Sequence, residues 1–145
     1  MDLRILEIAS HTENNKVLEN FTHKSKNKNP LCGDEMEISL IIKDNVVKDM
    51  GYQCKSCIYC QASVSLLSRK IKDKKIEEIK SFIVSAENLF EDIKTSLEKN
   101  WNDFKEILDK KNIARKECLL LPLRTVLKAL KIKWLKLPNH YYKKH

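Results

Sequence analysis

The run Asn29-Pro30-Leu31-Cys32-Gly33-Asp34-Glu35-Met36-Glu37-Ile38-Ser39-Leu40-Ile41-Ile42-Lys43-Asp44-Asn45-Val46-Val47-Lys48-Asp49-Met50-Gly51-Tyr52 decides the fold. Met36, Ile38, Leu40 and Ile42 recur at a period of two, which predicts a strand over 36–43 with one apolar face. Asp44-Asn45 is a hairpin turn signal, and 46–52 is the return strand. An antiparallel hairpin brings its two ends together. Here both ends carry sulfur: Cys32 stands at the start, and Cys54 and Cys57 follow the exit. Cys32, Asp34 and Cys57 are therefore expected to be neighbours, for a purely geometric reason.

The chain has five cysteines and only two glycines. Gly33 and Gly51 both lie within three residues of a cysteine, which suggests loops built around the sulfurs. Cys54, Cys57 and Cys60 form a C-x2-C-x2-C run, and Cys118 stands alone far downstream. Thiolates are soft ligands that select zinc or iron–sulfur clusters, and a closed tetrahedral site needs four donors. Cys32, Cys57 and the Asp34 carboxylate supply three. Cys118 adds another if the last helix begins beside the open end of the hairpin, where a helix N-terminus favours thiolate. A lone buried cysteine is also an ordinary small apolar residue, so that reading of Cys118 stays open. Cys54 and Cys57 also read as a redox pair, although the βαβ context of such pairs is missing.

A chain of 145 residues with 42% apolar content is expected to form one domain with a real core. No apolar run approaches the ~18 residues of a membrane span. The charged start, Met1-Asp2-Leu3-Arg4-Ile5-Leu6-Glu7, has no secretory h-region. A cytoplasmic, reducing location follows as an expectation, and there cysteine clusters mean metal or redox chemistry. The odd cysteine count also argues against a pure disulfide framework. Net charge is +8, but 24 of the 28 basic residues are lysine and only 4 are arginine, the better phosphate fork. The lysines are scattered among 20 acids. A solvated surface or an acidic protein partner is expected, with no nucleic acid and no membrane.

Elsewhere the pattern predicts a helix over 2–10, with Leu3, Ile5, Leu6 and Ile8 on one face. Residues 10–20 read as irregular and 21–27 as an edge strand blunted by lysines. A helix over 58–71 buries Ala62, Leu66, Leu67 and Ile71. A long amphipathic helix is expected over 76–97, through Ile79, Ile83, Ala86, Phe90, Ile93 and Leu97. A short helix around Trp101, Phe104, Ile107 and Leu108 and a link over 109–114 lead to the last helix, 116–130. Cys118 falls in its first turn, and Pro122 kinks it or marks its true start. Residues 131–145, with Trp134, Tyr141 and Tyr142, form a basic tail, read as a docking segment or as a helix end followed by a frayed terminus.

Three pieces together resemble the U-type iron–sulfur cluster scaffolds, the IscU, SufU and NifU N-terminal family. They are Asn29-Pro30-Leu31-Cys32-Gly33-Asp34; Cys57 followed by Gln61-Ala62-Ser63-Val64-Ser65; and Arg115-Lys116-Glu117-Cys118-Leu119-Leu120-Leu121-Pro122. His11 and Asn14 faintly echo a further stretch of that family. The resemblance implies an α+β fold, a small antiparallel sheet packed by helices, within a scaffold domain of residues 1–130. It implies Cys32, Asp34, Cys57 and Cys118 as ligands of iron, of a transient [2Fe–2S] cluster or of zinc, with Asp34 the exchangeable one. It implies a carrier and not an enzyme, with a cysteine desulfurase and apo iron–sulfur proteins as partners, and a monomer or weak homo-oligomer.

The long interval from Cys57 to Cys118 is closest to the SufU type, whose members bind zinc in this pocket and accept sulfur from their desulfurase. In that case Cys118 is the expected persulfide acceptor. A structural zinc module is the third reading. The chain departs from the family pattern at Ser56, where a glycine is usual, at Glu117, and in its extra thiols Cys54 and Cys60.

Overall fold

The computed structural model describes residues 2–91 and 95–131. The expected features of the basic tail beyond Lys131, Trp134, Tyr141 and Tyr142 among them, lie outside the described residues, as does Ile93. Three antiparallel strands, β1 (His23–Lys28), β2 (Glu35–Lys43) and β3 (Val46–Lys55), form one sheet in the order β1-β2-β3. Among the described residues four helices accompany them: α1 (Leu3–Ala9), α2 (Ile58–Lys70), α3 (Ile76–Leu89) and α4 (Lys116–Lys131). This is the α+β architecture expected from the sequence.

The β2–β3 hairpin turns through Asp44 and Asn45, both with positive φ (53° and 65°), the backbone of a tight primed turn. Lys43 pairs with Val46, and the ladder runs to Glu35 opposite Lys55. β3 is therefore longer than the expected 46–52. A bulge between Ile41 and Ile42 leaves Lys48 unmatched. Ile42 continues the row of Met36, Ile38 and Leu40 and packs against the core, but is only partly covered. β1 forms the other edge, one to two residues later than its lysine pattern suggested.

The other sheet face carries Ser39 and Gly51, which are paired. The irregular segment after α1 crosses there: Leu18 N–H donates to Ser39 Oγ at 3.2 Å, and Tyr52 N–H donates to the Asn14 carbonyl at 3.1 Å. A Cβ on Gly51 would sit 2.4 Å from the Lys16 carbonyl oxygen. Gly51 thus serves a backbone crossing and not a cysteine loop, contrary to expectation. Asn14 is buried there, its amide donating to Ser68 Oγ at 3.1 Å.

α2 is the central helix. Its expected positions Ala62, Leu66, Leu67 and Ile71 are buried, but so are Ser63, Ser65 and Ser68. A helix enclosed on all sides must satisfy any hydroxyl it buries. Each serine does so on a carbonyl: Ser63 on Leu119, Ser65 on Ile8 and His11, Ser68 on Ser65. α1 buries Ile5, Ile8 and Ala9, whereas Leu3 (79% exposed) and Leu6 (40%) face outward, correcting the four-residue face.

α3 stops at Leu89, short of the expected 97. Leu97 is buried all the same, reached from a non-helical segment. Trp101 and Phe104 sit on a 3₁₀ turn (Lys99–Lys105) and pack on Phe82 of α3, with Trp101 stacked at 4.2 Å between ring centroids. A second 3₁₀ turn (Lys110–Arg115) fills the expected link and runs directly into α4. Pro122 neither ends nor starts α4 but lies inside it. Lacking an N–H, it withholds the usual helical hydrogen bond from the carbonyl of Cys118, four residues earlier. No helix among the described residues is long and apolar enough to cross a membrane.

Candidate metal centre

The connection between β1 and β2 is built by Asn29. Its carbonyl accepts Gly33 N–H at 2.8 Å and its side-chain oxygen accepts Leu31 N–H at 3.0 Å, while its own N–H reaches the Asp34 carbonyl at 2.8 Å. Gly33 adopts φ +76°, the left-handed backbone that glycine tolerates without strain. The result is a tight loop with Leu31 and Cys32 exposed at its tip and Asp34 turned inward, 6% exposed.

Asp34 meets the start of α2. Cys57 is the N-cap of that helix, and its N–H donates to Asp34 Oδ1 at 3.2 Å. The hairpin thus joins Asp34 to Cys57 as its geometry required. The other carboxylate oxygen, Oδ2, is buried and has no hydrogen-bond partner. A buried carboxylate oxygen without a donor is costly, so this atom is suited to a cation.

α4 brings Cys118 to the same point. Two ties set its register against α2: Ser63 Oγ donates to the Leu119 carbonyl at 2.7 Å, and the Arg115 guanidinium lies 5.4 Å from the Tyr59 ring centroid. The Cys32 and Cys118 sulfurs are 3.7 Å apart. One ligand atom from each of Cys32, Asp34 and Cys118 falls within 4.8 Å of the others. Cys57 stands just outside this triangle, its thiol against that of Cys118.

The electrostatics differ from the expected thiolate at a helix N-terminus. Burial pushes the Cys118 thiol up, and the neighbouring Cys57 and Cys32 thiols push it further. The 3₁₀ turn that feeds α4 removes the free helix end, since Lys116 N–H already bonds to the Ile113 carbonyl. A cation is what would draw these protons off: metal-bound thiols are deprotonated.

Glu117 is not part of the pocket. Its carboxylate is held by Arg124 Nη1, and Arg124 also grips Glu87 of α3 with Nε (2.5 Å) and Nη2 (2.9 Å). Sequence reading missed Arg124. Its spacing of seven from Glu117, two helical turns along one face, was a visible signal, but nothing marked Glu87 as the third member. Cys54 and Cys60 lie on the inner side, behind Cys57. Burial raises both thiols, and the Ser56 hydroxyl, buried and without a well-formed hydrogen bond, lies against them. Both stand outside the Cys32–Asp34–Cys118 group. His11 is exposed on the far side of α2, among Arg4, Glu7 and Arg69.

The sequence profile of the NifU-like N-terminal domain matches residues 2–112. The iron–sulfur cluster assembly scaffold protein IscU of Thermotoga maritima is 35% identical over 133 residues, covering 88% of this chain and 89% of that protein. IscU 1 of Archaeoglobus fulgidus is 40% identical over 50 residues, 34% of this chain and 33% of that protein. The N-terminal NifU-like structure from Brucella abortus superposes with a TM-score of 0.82 at 24% identity, covering 90% of this chain and 91% of that one. The SufU structure from Fervidobacterium islandicum superposes at 0.81 with 23% identity, covering 90% and 96%. The chain shares the overall fold of these two structures and belongs to the NifU-like N-terminal domain family.

Proposed function

We propose that this protein is an iron–sulfur cluster assembly scaffold. It accepts sulfur from a cysteine desulfurase, gathers iron or a [2Fe–2S] cluster on Cys32, Asp34, Cys57 and Cys118, and passes the cluster to apo-proteins. The observation that carries this reading is that a carboxylate oxygen of the buried Asp34 lies with the Cys32 and Cys118 sulfurs inside 4.8 Å, while Asp34 Oδ2 has no hydrogen-bond partner. An oxygen donor binds soft metal more weakly than a fourth thiolate. The site can therefore hold its cargo and release it.

Sulfur reaches the site as a persulfide. Cys32 is exposed at the loop tip and Cys118 is buried 3.7 Å behind it. Cys32 is the thiol an incoming partner touches first, and Cys118 the acceptor that exchange with Cys32 supplies.

A second reading, a zinc-bound sulfur acceptor, rests on the same spacing. Two sulfurs about 2.3 Å from one tetrahedral zinc lie about 3.8 Å apart. In that case Cys32, Asp34 and Cys118 would hold the ion, with Cys57 beside them. Metal and acid-labile sulfide content after anaerobic purification separates the two. Comparable iron and sulfide with charge-transfer bands supports the scaffold; zinc without sulfide, joined by persulfide gain from a desulfurase and cysteine, supports the acceptor.

A further inference from the structure

Three thiols, Cys54, Cys57 and Cys60, stand outside the Cys32–Asp34–Cys118 group, and two of them are placed to act on it. Cys57 is the N-cap of the 13-residue helix α2, half-buried, with extended backbone (φ −70°, ψ 166°) and no hydrogen bond from its side chain to the helix. Cys60 is fully buried one turn into the same helix. An accessible cysteine at a helix start with a buried one three residues on is the arrangement of a dithiol whose first sulfur meets the substrate and whose second resolves it. Cβ atoms three apart on a helix lie ~5–6 Å from each other. A disulfide needs ~3.5–4.5 Å. Closing the difference takes a small backbone shift at the helix start, where Cys57 has extended backbone and its side chain caps nothing.

Cys54 does not offer the same geometry. It sits in β3 opposite Met36, and the chain from there to Cys57 is strand followed by the extended N-cap. At ~3.3 Å per residue that stretch can extend to roughly 10 Å, whereas Cys57 and Cys60 are held within one helical turn. Of the two pairings, Cys57 with Cys60 is the one that a single helical turn holds together. Cys60 also stands outside the Cys32–Asp34–Cys118 group, so it stays a free thiol when those three hold metal.

We propose that Cys57 and Cys60 form an internal dithiol that reduces the delivered sulfur to sulfide at the site. This rests on the sulfur-accepting part of the proposed function. A persulfide on Cys118 passes its outer sulfur to the adjacent Cys57 thiolate, leaving Cys118 as thiolate. The Cys60 sulfur then attacks Cys57 Sγ. The bond to the outer sulfur breaks, and that sulfur leaves with both protons as hydrogen sulfide. Cys57–S–SH and Cys60–SH become a Cys57–Cys60 disulfide and H₂S. The two electrons come from the cysteine pair, and a low-molecular-weight dithiol resets it.

The test treats the full-length reduced chain with a limiting amount of glutathione persulfide, which needs no desulfurase. Released sulfide is assayed, and disulfides and persulfides are mapped on peptides. The expected result is about one sulfide per Cys57–Cys60 disulfide, with release falling roughly tenfold in Cys60→Ser while sulfur stays on the protein. The disulfide map on the unmutated chain stands even if that variant folds poorly. A disulfide mapping to Cys32–Cys118, or sulfide release unchanged in a folded Cys60→Ser, overturns the inference. Persulfide retained without sulfide overturns it and leaves the acceptor reading intact; no persulfide on any cysteine removes both.

Discussion

The carboxylate of Glu117 is bound by the guanidinium of Arg124, two turns further along α4, and so turns away from the thiol cluster that its neighbour Cys118 helps to form. Arg124 completes the contact with a two-pronged grip on Glu87, which raises its guanidinium further above the usual value. The residue before Cys118 is thus spent on joining α4 to α3. The donor set of the pocket is left as sulfur and the single carboxylate of Asp34.

Replacing Arg124 by Gln should lower stability by about 1 kcal/mol. The pair is roughly one-third exposed, so solvent screens much of its charge energy. The urea midpoint checks this, and a Glu87→Gln change made together with it should add little, because both break the same network.

Asp34→Ala should prolong retention of a reconstituted cluster. With the weakest donor gone, ligand exchange loses its easiest opening, and chelator-driven bleaching should slow several-fold. Faster bleaching would count against Asp34 as the releasing ligand.

The two glycines should fail for different reasons. Gly51→Ala forces a methyl group into the Lys16 carbonyl, and overpacking of this kind costs ~1–3 kcal/mol. Gly33→Ala meets no neighbouring atom, but its φ of +76° costs an L-residue ~1–2 kcal/mol. Asparagine, which tolerates that backbone, should recover part of the loss at position 33 and none at 51. Denaturation of the four variants reads this directly.

Stability of the reduced, metal-free chain should fall at alkaline pH. Burial lifts the Cys60 thiol above its ordinary value of 9.0. Because the folded-state value is the higher one, its contribution is whole below about 9 and is lost as pH rises further and the unfolded chain ionises first. Urea midpoints at pH 7.5 and 9.5 should diverge in the parent and diverge less in Cys60→Ala, the remainder belonging to the buried Cys118 and Cys54 thiols.

Much of the fold was legible because local patterns agreed with it. The period of two in Met36, Ile38 and Leu40 marked β2, and Asp44-Asn45 marked its turn. The 3.6 period failed where helices are not simply amphipathic. α2 is buried all round, so its serines carried no signal. α3 ends eight residues early because Leu97 reaches the core without being helical.

By itself the sequence determined the hairpin, the loop at Gly33 and hence the meeting of Asp34 with Cys57, since all three follow from contacts within one short run of chain. Only the tertiary structure decided the rest. Cys118 arrives across more than sixty residues through the Ser63–Leu119 and Arg115–Tyr59 contacts, Glu117 is withdrawn by an arginine and a glutamate on two helices, and Gly51 answers to a backbone crossing. Such placements depend on which surfaces pack together, and no local periodicity encodes a partner that distant in the chain.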